Sequence, residues 1–240
     1  MAAWLVRLKG HPFDLAYLST TFDAPKRRIH EREGCHYLQS SDFEVLTDAE
    51  DVRLHAQSLL QLMNGAARVQ SGEYQPVAVD AVVRVDDDGT RQVSMSLSGA
   101  VSMRSQFSAT VIKGGTATPL QSSTDAQAFL AVAEQHAKVQ EALCMFGALD
   151  PTWANLHKVF ECIQFDVGGT MFAEGWTTKG EANRFTQTAN SAFAIGDAAR
   201  HPRDEQKFRP PKQPMSLSEA QSFIRTLLSH WMRSKRQEVG

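Results

Sequence analysis

The sequence predicts an α+β fold, in which an N-terminal antiparallel sheet with one amphipathic helix is followed by a C-terminal helical bundle. Three observations predict it. Apolar residues alternate with period two at Val77, Val79, Ala81, Val83 and Val85, then at Val93, Met95 and Leu97, on either side of the turn pair Asp88-Gly89. Beyond the middle of the chain the spacing becomes helical, and three of the four helical stretches open on a Ser/Thr-x-x-Glu/Gln start. Between these regions, Lys113 to Ser123 gathers Gly, Pro and small polar residues, and both periods lapse. The expected parts are therefore residues 1–117 and 118–240, packed as one unit because the connector is short.

In chain order, Trp4 to Leu8 reads as a strand, Phe13 to Leu18 as a short helical turn, and Arg28 to Leu38 as extended chain around Gly34. Thr47 to Glu50 forms a capping box, and Ala49, Val52, Ala56, Leu59, Leu60 and Met63 then make one apolar helical face, with Asn64-Gly65 as the expected stop. The hairpin around Asp88-Gly89 follows, and a third alternating stretch runs through Val101, Met103, Phe107, Ala109 and Val111. In the second part, Thr124 to Gln127 opens a helix expected to run to about Phe146. Asp150 followed by Pro151 opens one that carries Trp153, Leu156, Phe160 and Ile163. Thr178 to Glu181 opens a helix with Phe185 and Ala189, and Ser216 to Glu219 opens the last, with Ala220, Phe223, Ile224, Leu227, Leu228 and Trp231.

Composition narrows the function classes. At 240 residues with ordinary apolar and charged fractions, the chain can bury a core without staples. No apolar run approaches the length of a membrane span, and no signal peptide is read, so a cytoplasmic protein without a membrane partner is expected. Cys35, Cys144 and Cys162 are odd in number and dispersed, against a disulfide framework or clustered zinc ligands. The net charge of −2 names no partner, yet from Arg200 onward basic side chains exceed acidic ones by five. That excess suits either a solvated surface or an anionic partner.

Motifs for specific chemistry fail one by one. Gly114-Gly115 and Gly168-Gly169 lack the Lys-Ser/Thr of a phosphate loop and the spacing of a dinucleotide fold, so no cofactor is implied. Cys35-His36 has no second ligand at metal spacing. Asp197, Asp204, Glu205 and Lys207 echo the acidic-acidic-x-Lys pattern of metal-dependent nucleases. They sit in a Pro-rich loop, whereas such carboxylates converge from adjacent strands, so no metal site is assigned. No Gly-x-Ser-x-Gly elbow is present.

What is left is Arg184 to His201, where polar residues interrupt a small, apolar stretch just ahead of a basic, Pro-rich loop. If buried, its polar groups must find hydrogen bonds; if exposed, they can grip an anion or a partner. Arg184, Asn190, Arg203, Lys207, Arg209 and Lys212 are the candidate binding residues. The alternative is that Asn190 and Asp197 terminate helices and His201 and Arg200 pair with nearby groups.

A bundle of short helices, a histidine at position 201, a polar loop and then Met215-Ser-Leu-Ser-Glu-Ala220 opening a final helix resembles the HEPN family of helical domains, over roughly residues 124 to 236. The resemblance implies a helical module, commonly dimeric. In many members it implies a metal-independent ribonuclease of bacterial defence, with four to six residues between an Arg and the His that follows it. Ala194, Ile195 and Gly196 occupy the positions where that Arg would stand relative to His201. The leading expectation is accordingly a non-catalytic interaction or nucleic-acid-associated module of a bacterial defence or regulatory system, with RNA, DNA, a second copy or another protein as partner. The alternatives are a ribonuclease, with Arg200 and His201 binding and polarising the scissile phosphate, and a purely structural subunit of a complex. Sequence leaves open whether the chain is an enzyme.

Overall fold

The computed structural model of the chain describes residues 3–86, 88, 90–95, 124–148, 152–199 and 210–239. The first strand, β1 (Ala3–Lys9), leads into α1 (Pro12–Thr21). Pro12 supplies a preset helical φ at the first position of α1, and His11 Nδ1 accepts from the Phe13 N–H, which extends this element past the short turn the sequence suggests. A two-residue strand β2 (Asp23–Ala24) then precedes the hairpin β3 (Arg27–Arg32) and β4 (Cys35–Ser40). Its turn residues Glu33 and Gly34 both have positive φ, 55° and 74°, as a two-residue turn matched to strand twist requires. Glu33 is kept in that unfavourable region while its carboxylate receives both terminal nitrogens of Arg91, at 2.9 and 3.0 Å.

After a 3-10 turn at Ser41–Phe43 comes α2 (Ala49–Gln70), then β5 (Ala78–Val85) and β6 (Arg91–Met95). The six strands form one antiparallel sheet in the order β2-β3-β4-β1-β5-β6. The β1–β5 register shifts between Arg7 and Leu8, leaving Asp80 as the extra residue; its carboxylate meets Arg7 Nε at 2.6 Å. One sheet face sends Val6, Leu8, Ile29, Leu38 and Val82 into the core, and the other carries a small cluster of Leu5, Tyr37 and Val83. The third alternating stretch, Val101 to Val111, and the connector lie outside the described residues.

Helix α2 differs from expectation at both ends. Its cap is Asp48, one residue later than Thr47, with the carboxylate accepting from the Glu50 N–H at 2.7 Å. The helix also runs straight through Asn64-Gly65 to Gln70. Asn64 does not end it, because its side chain is taken by the following strand approach: Nδ2 donates to Val77 O at 2.9 Å, while Oδ1 accepts from Val77 N at 3.1 Å and from the Tyr74 hydroxyl. Gly65 serves packing, not termination. A Cβ there would lie 2.9 Å from the Leu143 carbonyl carbon and closer still to its oxygen.

That contact belongs to the helical part, which comprises α3 (Thr124–Gln135), α4 (Ala137–Phe146), α5 (Trp153–Val167), α6 (Thr170–Ala173), α7 (Lys179–Asn190), α8 (Ala192–Ile195), a 3-10 turn at Gly196–Ala198, and α9 (Leu217–Val239). The single helix expected from Thr124 to Phe146 breaks at His136, whose backbone is extended (φ −126°, ψ 99°), so α3 and α4 each pack on α2. The cap of α5 is Thr152, with Oγ1 accepting from Asn155 N at 3.1 Å, in place of the expected Asp150-Pro151 start. The boxes at Thr178–Glu181 and Ser216–Glu219 form as the sequence predicts. One core cluster runs from the sheet through α2 into α3, α4, α5, α7 and α9, ending on the fully buried Trp231. Trp231 Nε1 donates to Asp166 at 2.7 Å, and Lys235 Nζ meets the same carboxylate at 2.9 Å.

Candidate functional site

The apolar stripe of α5 that buries Leu156, Val159, Phe160 and Ile163 leaves His157, Glu161 and Gln164 along its flank. On α7, whose buried face is Ala182, Phe185, Thr188 and Ala189, the corresponding flank is Asn183, Thr186 and Asn190. Phe185 fixes these two helices against α9, with its ring 6.1 Å from Trp153, 5.4 Å from Phe160 and 5.2 Å from Phe223. Between the two polar flanks lies a groove of about 370 Å³, closed at one side by Phe172 of α6. Its size falls within the small-ligand range of about 300–1,000 Å³.

The groove's chemistry is mainly that of neutral hydrogen-bonding groups. His157 is buried, stacked on Phe185 at 6.2 Å and 20°, with Nδ1 3.6 Å from Glu161 Oε2. The Thr186 hydroxyl donates to Ala182 O at 2.9 Å, which leaves its oxygen able to accept. Asn190 ends α7, and its Oδ1 is buried with no hydrogen-bond partner among the described residues.

Arg184 faces away from this groove. It lies in a second cleft, of about 400 Å³, with Gly180, Asn183, Gln187, Pro211, Lys212 and Gln213. Its guanidinium donates to Gln213 O at 2.7 Å, to Pro214 O at 3.3 Å and to Glu219 at 3.1 Å. The Glu219 carboxyl is held below the usual range by the Ser216 N–H and, behind it, by Arg184. Arg184 thus fastens the chain entering α9 to α7, and its charge is already matched. Of the other expected binding residues, Lys212 shares this cleft and Asn190 sits in the groove. Arg200, His201, Arg203, Lys207 and Arg209 lie outside the described residues. The structure therefore brings Arg184 and Lys212 together and separates them from Asn190.

Elsewhere on the described surface, Arg7, Arg27, Arg53, Arg84, Arg91 and Arg236 each face a carboxylate. Such pairs leave little unmatched charge for tracking a phosphate backbone. Among the described residues no group of three His, Cys, Asp or Glu could hold a metal ion, and no helix is long and apolar enough to cross a membrane. The burial that raises the Cys144 and Cys162 thiols makes both poor nucleophiles.

Sequence reasoning passed over His157, Glu161, Gln164, Asn183 and Thr186. The available signal was His157 and Glu161 one helical turn apart beside the Leu156–Phe160–Ile163 stripe, facing Asn183 and Asn190 two turns apart on another helix. The chain matches no family model, no curated protein and no solved structure.

Proposed function

We propose that the protein is a non-catalytic, nucleic-acid-associated interaction module of a bacterial defence or regulatory system, with the α5–α7 groove as its recognition site. The observation that carries this reading is the lining of the groove. Amide, hydroxyl and imidazole groups that can donate or accept line the groove together with the Phe160 and Phe172 side chains, which suits a flat ligand recognised along its edges. Phe165, 84% exposed, follows Gln164 directly, and Phe193, 55% exposed, stands in α8 three residues after Asn190. Exposed rings beside hydrogen-bonding amides are the usual means of holding single-stranded bases. The cluster Arg200, Arg203, Lys207, Arg209 and Lys212, against Asp204 and Glu205, supplies the attraction to phosphate that the paired arginines elsewhere do not.

The test is binding of single-stranded RNA and DNA across a salt series. Affinity that falls steeply with salt supports the reading; no binding at low salt refutes it and favours a structural subunit.

A ribonuclease reading has one observation behind it, the His157–Glu161 pair within the groove, since a histidine oriented by a carboxylate can move a proton without a metal. RNA degradation in EDTA separates the two. Cleavage by the wild type that is lost in His157→Asn, or in His201→Ala as the HEPN resemblance implies, replaces the non-catalytic reading.

A further inference from the structure

We infer that α8 (Ala192–Ile195) is a flap, hinged at Ser191 and Gly196, which opens locally while the rest of the fold stays closed, and that two buried polar atoms at its base bias it toward opening. Opening does not depend on what the α5–α7 groove binds, but it moves Phe193 and uncovers Asn190 at the end of that groove.

At the base of α8 the side-chain atoms Asn190 Oδ1 and Ser191 Oγ, on adjacent residues, are buried with no hydrogen-bond partner among the described residues. A hydroxyl at a helix N-cap normally accepts from the first turn. Ser191 holds that position in α8, yet its side chain makes no cap bond, while its carbonyl accepts from Ala194 N–H at 3.0 Å and Ile195 N–H at 3.1 Å. A buried polar atom without a partner carries its full desolvation cost, which contact with water removes once the site opens. Little holds the flap shut against that cost. None of its residues is buried, Phe193 is exposed, and Ile195 is the one that packs partly on the core. It packs chiefly on its chain neighbours, α7 and the 3-10 turn Gly196–Ala198, and that turn buries no residue either. At the far end Gly196 takes φ 62° and ψ −138°, a conformation that glycine alone enters readily, with open space where a Cβ would stand. The chain can therefore turn at both ends of α8 without dislodging a fully buried side chain. A helix of four residues does not persist away from the protein, so opening also unwinds it. Thr188, earlier on α7 and equally buried, is the contrast: its hydroxyl donates to Arg184 O at 2.8 Å and accepts from Met215 N–H at 3.1 Å.

The test is amide hydrogen exchange of the full chain, resolved by NMR, read at the Ala194, Ile195 and Gly196 N–H groups that close α8. In the wild type these are expected to exchange roughly a hundredfold or more faster than the Phe185 amide in the buried middle of α7. Ser191→Ala removes an unmatched oxygen from the closed form. It is expected to slow α8 exchange about tenfold, with a urea midpoint that is unchanged or higher. An ordinary N-cap predicts the opposite sign, because deleting a capping hydroxyl frays the helix and speeds exchange. Thr188→Ala deletes a hydroxyl that is bonded, so it is expected to lower the urea midpoint and to leave α8 exchange no slower. Three results overturn the inference: α8 amides as protected as that of Phe185, α8 exchange in Ser191→Ala that is unchanged or faster, or slowing in both variants. Unchanged exchange would mean that an ordered water already satisfies Ser191 Oγ in the closed form.

Discussion

Replacing Gly65 by alanine removes a helix-weakening residue from the middle of α2, and on propensity alone should stabilise the protein by about 1 kcal/mol. The structure reverses the sign. The added Cβ would lie 2.9 Å from the Leu143 carbonyl carbon and 3.2 Å from its Cα, with the carbonyl oxygen nearer still, and separations under 3.0 Å are essentially never observed. The obstacle is backbone of α4, not the end of a flexible side chain, so two helices must part to make room. Overpacking of this kind costs about 3 kcal/mol, at the upper end of its usual range. Net of propensity, the loss is about 2 kcal/mol, or a fall in Tm of roughly 4–8 °C for a chain of this size. Gly180→Ala is the control: in α7 its Cβ meets nothing nearer than Thr178 Oγ1 at 3.7 Å, so the change should be neutral or stabilising by up to about 1 kcal/mol. Urea midpoints of the two variants decide the matter. If Gly65→Ala unfolds no earlier than the wild type, the backbone contact between α2 and α4 is not as described.

Other substitutions test other parts of the structure. Asn64→Ala leaves Val77 N–H, Val77 C=O and the Tyr74 hydroxyl without their buried partner, and should cost about 3 kcal/mol or more in urea unfolding. Arg184→Ala should lower the unfolding midpoint by freeing the Gln213–Glu219 clasp, yet change oligonucleotide affinity by no more than about twofold, because its guanidinium is already engaged; a large loss of affinity with unchanged stability would make it a ligand contact. The Asp166 carboxyl is pushed up by burial but pulled further down by hydrogen bonds from Trp231 and Lys235, so it sits below its ordinary value of 3.8. Its stabilising contribution is present above that value and disappears as pH falls through the lower folded-state value, so stability followed through the acid range should show a loss below about pH 4 that is shallower in Asp166→Asn.

The elements legible in the sequence were those whose signals are local. The boxes at Thr178 and Ser216 close as reciprocal hydrogen bonds because every participating group lies within four residues. The hairpin of β5 and β6 follows from alternation and a turn pair in the same way. What was hidden depends on partners far along the chain. Asn64-Gly65 has the residues of a helix stop, but Val77 claims the asparagine and Leu143 requires the glycine. The break at His136 carries no Gly or Pro, and arises because two short segments pack on α2. The candidate site divides similarly. Asn190 could be singled out as a polar residue in a small, apolar stretch, whereas its neighbours in the groove come from a different helix and look like ordinary surface on either. Arg184 looked available for a ligand because the carbonyls that hold it are 29 and 30 residues away.

Helix α2 lies in the middle of the larger core cluster, with the sheet on one side and α3, α4 and α9 on the other. Neither half of the molecule can exclude water from that helix alone. Heat should therefore melt the protein in a single step, with calorimetric and van 't Hoff enthalpies in agreement. Separate chains ending at Met95 and beginning at Thr124 should each fold poorly and should regain wild-type helical circular dichroism on mixing.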